Sequence, residues 1–286
     1  MQNNKKLYLI ISIVSLLIVL IALLAIGMLL YSYKQSSDAY AQLAQEARVQ
    51  SATITTIETV APEATEATDE TMSAVPVLVD IPIDFTYLKE QNEDIIGWIM
   101  VDGTIIDYPI LYDTSYNLYY LKHNFARTAT GSGSIFVLGE NSNDFSDFNT
   151  VVYGHNLMSG QMFASLHNFR DKTFFDSHGQ IIIYTPDRKL TYQVFAAYRT
   201  DNLNIIANND FSTEELREAY IERIYMHTDY AFFKPEYLVT ASDRIVTLST
   251  CIGNADYRYV VQGVLVSDEP GEFTEAQPTE EDADKS

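Results

Sequence analysis

Between Lys6 and Lys34 the chain carries no charged residue. The run from Leu7 to Tyr31 is built almost entirely from Leu, Ile, Val, Ala and Met. As a helix rising about 1.5 Å per residue it is long enough to cross a hydrocarbon layer of roughly 30 Å. A helix buried at the centre of a globular core normally keeps a polar face, and this run has none. Ala39, Tyr40 and Ala41 form an A-x-A pattern of the kind that ends a cleaved signal peptide, but the apolar part of such a peptide has only about 7 to 15 residues. Residues 7–33 therefore read as an uncleaved transmembrane anchor. Lys5 and Lys6, in the short segment 1–6, precede the span and the bulk of the chain lies after it. That order predicts a single pass at the cell membrane with a cytoplasmic N-terminus and an extracellular body, a bias that Lys34 and Arg48 reduce.

Charge divides the remainder of the chain. The protein has 39 acidic and 18 basic residues, a net charge of −21, which excludes a phosphate-backbone binder as the default; no nucleic-acid partner is expected. Sixteen of the 39 acidic residues lie in two peripheral stretches, 34–80 and 267–286. Residues 34–80 read as an extracellular acidic tether: a short helix over Ala39 to Val49, then a low-complexity run of Thr, Ala, Glu and Ser from Ser51 to Ala74 without the large apolar residues that offset ordering entropy. The segment 267–286 reads as an acidic disordered tail, with no second anchor and no wall-sorting signal of its own.

Residues 81–266 are one domain's worth of chain, and their pattern is mainly β. Eight apolar, β-branched runs are bounded by turn residues: Ile95 to Val101, Thr104 to Leu111, Gly133 to Leu138, Thr150 to Tyr153, Gln180 to Tyr184, Leu190 to Tyr198, Arg244 to Thr250 and Tyr259 to Val266. Such a series fits a barrel or a sandwich. Asp102-Gly103 and Pro186-Asp187 mark turns between neighbouring runs. Peripheral helices are expected at Asp84 to Asn92, at Gly160 to Asn168 and, behind a capping box of Ser212 and Glu215, at Thr213 to Thr228.

The chemistry centres on a single thiol. Cys251 is the chain's one cysteine, so it forms no intrachain disulfide and supplies no Cys-rich metal site. It ends a buried-strand pattern just before Gly253 and Asn254, at the rim where scaffold-positioned catalytic groups lie. A lone cysteine is commonly a small buried hydrophobe. Export counts against that here, because a free thiol outside the cytoplasm is exposed to oxidation. A thiol also needs a base or a cation beside it to act as a nucleophile. All five histidines precede Cys251, which excludes the papain order. His155 stands out because it comes directly after the strand Val151-Val152-Tyr153 and Gly154, whereas His123, His167, His178 and His227 read as structural or surface residues. Arg258 opens the next strand, seven residues after Cys251, and its fixed fork of donors suits a carbonyl that becomes an oxyanion.

Thr247-Leu248-Ser249-Thr250-Cys251, Tyr153-Gly154-His155-Asn156 and the position of Arg258 together resemble the sortases. Gly97-Trp98-Ile99, Ile106-Asp107-Tyr108-Pro109, Tyr119-Tyr120-Leu121, Gly133-Ser134-Ile135-Phe136, Asn143-Asp144-Phe145-Ser146-Asp147 and the capped helix before Arg244 are similar to class B of that family. The resemblance implies a closed eight-stranded β-barrel catalytic domain over 81–266 and a membrane-anchored cysteine transpeptidase of Gram-positive bacteria. It implies that Cys251 attacks the threonine carbonyl of a sorting motif to form a thioester, that His155 shuttles the proton and that Arg258 steadies the oxyanion. Ser249 and Thr250 would contact the peptide. Partners would be surface proteins with a C-terminal sorting signal and an amine from a cell-wall precursor or a pilin lysine. No cofactor or metal is required, because the thioester conserves the acyl bond energy. The short loop from Cys251 to Arg258, Ile252 after the nucleophile and Tyr112 after Pro109-Ile110-Leu111 depart from the class B pattern, which leaves Asn-Pro-X-Thr, Leu-Pro-X-Thr and other variants of the motif open. Two other functions use the same residues: a secreted cysteine peptidase that hydrolyses, and a non-catalytic wall-binding module.

Overall fold

A computed structural model describes residues 2–48, 78–114, 118–253 and 256–273. The chain begins with one long helix, α1 (Gln2–Glu46), whose apolar residues from Tyr8 to Tyr31 are exposed. Among the described residues it is the one helix long and apolar enough to cross a membrane.

The lower part of α1 is different. Ser36, Tyr40 and Leu43 recur on one helical face and, with Ala47 just past the helix end, are buried against the barrel. The Ala47 carbonyl accepts the Asp84 N–H at 2.8 Å. The first third of the stretch read as a tether is therefore packed structure, because this apolar stripe continues the helix onto the domain. Ala39 to Ala41 lie within that docked helix and not in an extended cleavage site. The low-complexity run Ser51 to Ala74 lies outside the described residues.

Among the described residues the body is built on ten strands: β1 (Val79–Asp80), β2 (Ile95–Val101), β3 (Asp107–Asp113), β4 (Ile135–Leu138), β5 (Asn149–Tyr153), β6 (Gln180–Tyr184), β7 (Arg188–Asp201), β8 (Phe232–Phe233), β9 (Ile245–Cys251) and β10 (Tyr257–Glu272). Eight of them run in the order β10-β9-β5-β4-β3-β2-β6-β7, and β7 pairs back onto β10, so the sheet closes. A barrel, not a sandwich, is the outcome. Closure leaves no row of unpaired backbone groups around its girth. Two of its pairings, β3 with β4 and β5 with β9, are parallel, which requires long connections, here residues 114–134 and 154–244. The two-residue strands β1 and β8 are outer additions on β10 and β7.

The β7–β10 ladder is longer than the apolar pattern alone indicates, running from Tyr257 opposite Asp201 to Pro270 opposite Arg188. Consequently the first six residues of the expected tail, Ser267 to Glu272, are strand. Asp268 explains why an acidic segment pairs there: it takes ion pairs from both Arg188 and Arg244. The tail beyond Phe273 lies outside the described residues.

Peripheral helices are α2 (Phe85–Gln91), α3 (Lys172–Ser177) and α4 (Glu214–Tyr225), with 3-10 turns at Tyr119–Leu121 and Ala164–Arg170. Asp84 caps α2 by accepting the Tyr87 N–H at 2.9 Å. The helix expected over Gly160 to Asn168 starts later, as a 3-10 turn that runs into α3. α4 is capped by Thr213 and not by Ser212: the Thr213 side chain accepts from the Leu216 N–H, one residue later than the box places it. α4 also stops at Tyr225, short of Thr228.

The core fills the barrel around Trp98, which is fully buried and donates its ring N–H to Asp107 at 2.7 Å. A second cluster lies under α4, where Tyr220, Ile221 and Ile224 cover Phe195, Tyr198 and Val260. Tyr112, one of the departures from the class B pattern, packs against the core and donates its hydroxyl to the Asn141 carbonyl at 2.8 Å. Asn141 in turn steadies β5, donating to the Asn149 carbonyl at 2.8 Å and accepting the Val151 N–H at 2.9 Å.

Candidate active site

β9 is the axis of the site. Cys251 is its last residue, half-buried, with β5 on one side and β10 on the other. Alternation along β9 puts Ser249 and Cys251 on one face. On the antiparallel side Cys251 lies directly opposite Arg258. Residues so paired project to the same face with Cβ atoms about 4.5–5.5 Å apart, so the stem of the arginine starts beside the thiol. On the parallel side Tyr153 is level with Ser249, and the Gly154 N–H donates to the Ser249 carbonyl at 3.2 Å. Two residues beyond Tyr153, His155 is therefore carried to the level of Cys251. Cys251, His155 and Arg258 all line one groove of about 380 Å3, walled by Leu118, Leu121 and Leu138 and by the segment Thr200 to Ile205 at the end of β7.

Gly154 is required by close approach. A Cβ there would lie 2.5 Å from Ile135 and 2.7 Å from Phe163, so any side chain would push the histidine segment off the barrel. His155 is half-buried, and its Nε2 meets the Leu121 carbonyl at 2.7 Å. A carbonyl only accepts, so Nε2 carries the hydrogen of this bond.

The Thr-Leu-Ser-Thr-Cys segment divides its labour. Thr247 is fully buried; it donates to Asn149 Oδ1 at 2.8 Å and accepts from Gln262 at 2.8 Å. Gln262 also donates to the Tyr220 hydroxyl at 3.2 Å, tying α4, β5, β9 and β10 together beneath Cys251. Thr250 donates to the Gly154 carbonyl at 2.8 Å, which fixes the spacing of the cysteine and histidine strands. Ser249 and Thr250 both line the groove and both are buried, at 3% and 2% exposure. Ile252 packs its side chain onto the core and anchors the turn after Cys251. Tyr153 is half-buried, with its hydroxyl oxygen out of solvent; burial first, then Glu140, pushes its phenol well above the usual range, with Arg258 opposing. Among the described residues no group of three or more His, Cys, Asp or Glu is placed to hold a metal ion.

Sequence reasoning passed over His167. Its Nε2 donates to the carbonyl of Cys251 itself at 2.9 Å, and its ring stacks on Tyr259 with centroids 5.4 Å apart. No local signal marks it, since 84 residues separate the pair. Its Nδ1 is buried without a hydrogen-bond partner. Burial pushes its pKa down, with the Cys251 carbonyl opposing and Arg170 assisting. His227 is lowered as well, by burial, with Asp201 opposing. A group whose folded pKa is depressed in this way takes up a proton on unfolding, so stability from both histidines is lost as pH falls below the unfolded value of about 6.5. The melting temperature should fall on acidification through that value, and His167→Gln, which keeps a donor for the Cys251 carbonyl, should flatten the slope. Scanning calorimetry from pH 8 to about pH 5 checks this; a melting temperature that rises as pH drops would refute it.

A sortase-domain family model matches residues 99–266. Sortase B of Listeria monocytogenes is 36% identical to the chain over 183 residues, covering 63% of this chain and 73% of that protein. Sortase B of Staphylococcus aureus is 32% identical over 167 residues, covering 58% and 67%. Among solved structures, sortase B from B. anthracis in complex with AAEK1 superposes with a TM-score of 0.65 at 29% identity, covering 84% of this chain and 100% of that one.

Proposed function

The chain belongs to the sortase family, in its class B, and from that premise we propose that its Cys251, His155 and Arg258 carry out transpeptidation on surface proteins. Cys251 as thiolate attacks the carbonyl carbon of a threonine in the sorting motif, and the carbonyl π electrons move onto oxygen. Arg258 donates to that oxyanion. Collapse of the tetrahedral intermediate breaks the C–N bond, and protonated His155 delivers a proton to the departing amine, leaving a thioester on Cys251. An incoming amine then attacks the thioester carbonyl, His155 removes its proton, and the thiolate departs as a new amide forms. The acceptor is an amine of a cell-wall precursor or a pilin lysine. The anchor, residues 7–33, holds the domain on the outer face of the membrane with Lys5 and Lys6 inside.

The observation that carries this reading is the register. The β9–β10 ladder sets Arg258 opposite Cys251, and Thr250 and the Ser249 carbonyl lock the histidine strand at the same height.

The test uses the full chain in detergent or nanodiscs with a library of sorting peptides and an amine acceptor. Mass spectrometry should find cleavage after threonine, an acyl-enzyme adduct on Cys251, and an amide product that grows with acceptor concentration. The library also identifies the motif. Hydrolysis as the sole product, indifferent to the acceptor, would overturn transfer as the activity.

A further inference from the structure

We propose that Tyr40, on the membrane-proximal part of α1, is a positioning residue for His155, so that the anchor helix is a working part of the catalytic unit. The inference rests on His155 being the proton carrier. Its basis is a short chain of contacts from the helix to the imidazole.

The first link joins α1 to the segment 130–134. The Tyr40 ring is 5% exposed and sits edge-on between Tyr108 and Phe125, with centroids 5.6 and 5.0 Å away. Its hydroxyl lies 3.1 Å from the Gly133 carbonyl and 2.9 Å from Ser134 Oγ. Ser134 Oγ gives its own hydrogen to the His123 carbonyl, 2.8 Å away. The single phenolic hydrogen of Tyr40 is therefore shared between Gly133 and Ser134. One helical turn earlier, Ser36 bonds to Ser132 at 2.7 Å. A Cβ on Gly131 would lie 3.6 Å from the Tyr33 ring, so the helix tracks this segment closely.

The second link joins that segment to the histidine. Gly133 has φ +56, and a Cβ there would lie 3.0 Å from His155 Cδ2, 2.6 Å from the Leu121 carbonyl and 2.9 Å from that of Tyr120. Gly133 thus sits with Tyr40 on one side and the imidazole on the other. The Ser134 N–H donates to the Tyr120 carbonyl at 2.9 Å, and Thr130 N–H to that of Lys122 at 2.9 Å. Between them lies the Leu121 carbonyl, which holds His155 Nε2. Both the backing of the imidazole and its hydrogen-bond acceptor are therefore set by a segment that Tyr40 pins. Releasing Tyr40 frees the Gly133 carbonyl and empties space beside Phe125, and the imidazole shifts with its support.

The experiment compares full-length wild type, Tyr40→Ala, Tyr40→Phe, Gln42→Ala and Cys251→Ala in nanodiscs, all checked for folding by circular dichroism. Steady-state kinetics use the sorting peptide that the library identifies, and histidine-labelled NMR records the imidazole resonances. Tyr40→Ala should lower kcat about tenfold while KM stays within about twofold, the signature of a displaced reacting group. Tyr40→Phe, which keeps the ring, should recover most of that, ending about threefold below wild type. The His155 resonances should move in both variants while those of His227, just past the end of α4 and stacked on Tyr198, stay in place. Gln42→Ala, on the exposed face, should match wild type. If Tyr40→Ala does not fold, Tyr40→Phe decides alone by the same criteria. Wild-type kcat in a folded Tyr40 variant, or a fall in kcat with unmoved His155 resonances, overturns the inference. Turnover that survives in Cys251→Ala would instead overturn the catalytic reading, and the NMR comparison would still decide the Tyr40 link.

Discussion

Replacing Cys251 with Ala should eliminate the acyl-enzyme adduct and reduce transfer by about four orders of magnitude or more, the scale of loss when a covalent catalyst loses its nucleophile. No second thiol is available to replace it. Cys251 is the sole cysteine, and the neighbouring hydroxyl of Thr250 is bonded to the Gly154 carbonyl at 2.8 Å. The substitution should leave the fold intact. The ladder that pairs residue 251 with Arg258 is made by backbone groups, His167 bonds to the carbonyl and not to the sulfur, and alanine is smaller than the half-buried side chain it replaces. A change in stability of about 1 kcal/mol or less is expected. Peptide cleavage and amide formation by the full-length variant, monitored by mass spectrometry, check this. Transfer within tenfold of wild type would mean that another group is the nucleophile, and unchanged surface display of substrate in cells carrying the variant would favour a binding module.

Arg258→Lys should lower kcat by about 100- to 1,000-fold, as loss of one oxyanion donor does elsewhere, with little effect on folding. Lysine retains the charge but not the planar fork, and its ammonium is a point charge on a flexible stem. The position tolerates the change structurally: Arg258 is half-exposed, and its guanidinium bonds within the protein only to the adjacent Tyr257 carbonyl, at 3.3 Å, among the described residues. Arg258→Ala should be at least as impaired, and the difference between the two variants measures what charge alone contributes. Single-turnover acylation isolates the step. If Arg258→Ala acylates within threefold of wild type, the oxyanion is held by other donors and Arg258 does not have this role.

Much of this protein is legible along the chain because it is local. The apolar run from Leu7 to Tyr31 needs no tertiary contact to declare itself, and the eight β runs are each set by alternation and turn chemistry within a few residues. The proposed catalytic trio is legible for a related reason. Each of Cys251, His155 and Arg258 sits at the end of a strand, so a pattern that reveals the strand ends also reveals the rim. The same reasoning misjudges the edges. Ser267 to Glu272 have the composition of a solvated tail, yet a partner strand and the Arg188 and Arg244 charges hold them in a ladder. Likewise the residues after Lys34 read as a tether, because the surface that buries Tyr40 and Leu43 is contributed by strands and loops far along the chain.

Sequence by itself determined the apolar run long enough to cross a membrane, the mainly β class, the lone thiol and the two residues proposed to serve it, since these depend on side-chain chemistry and near-neighbour periodicity. Tertiary structure alone decided closure of the barrel through β7 and β10, the common height of His155, Cys251 and Arg258, and the placement of His167 and Tyr40 in the site's surroundings. His167 reaches Cys251 across 84 residues of chain and Tyr40 reaches Gly133 across 93. Contacts at such separations are created by strand register and packing, and those are properties of the closed sheet as a whole.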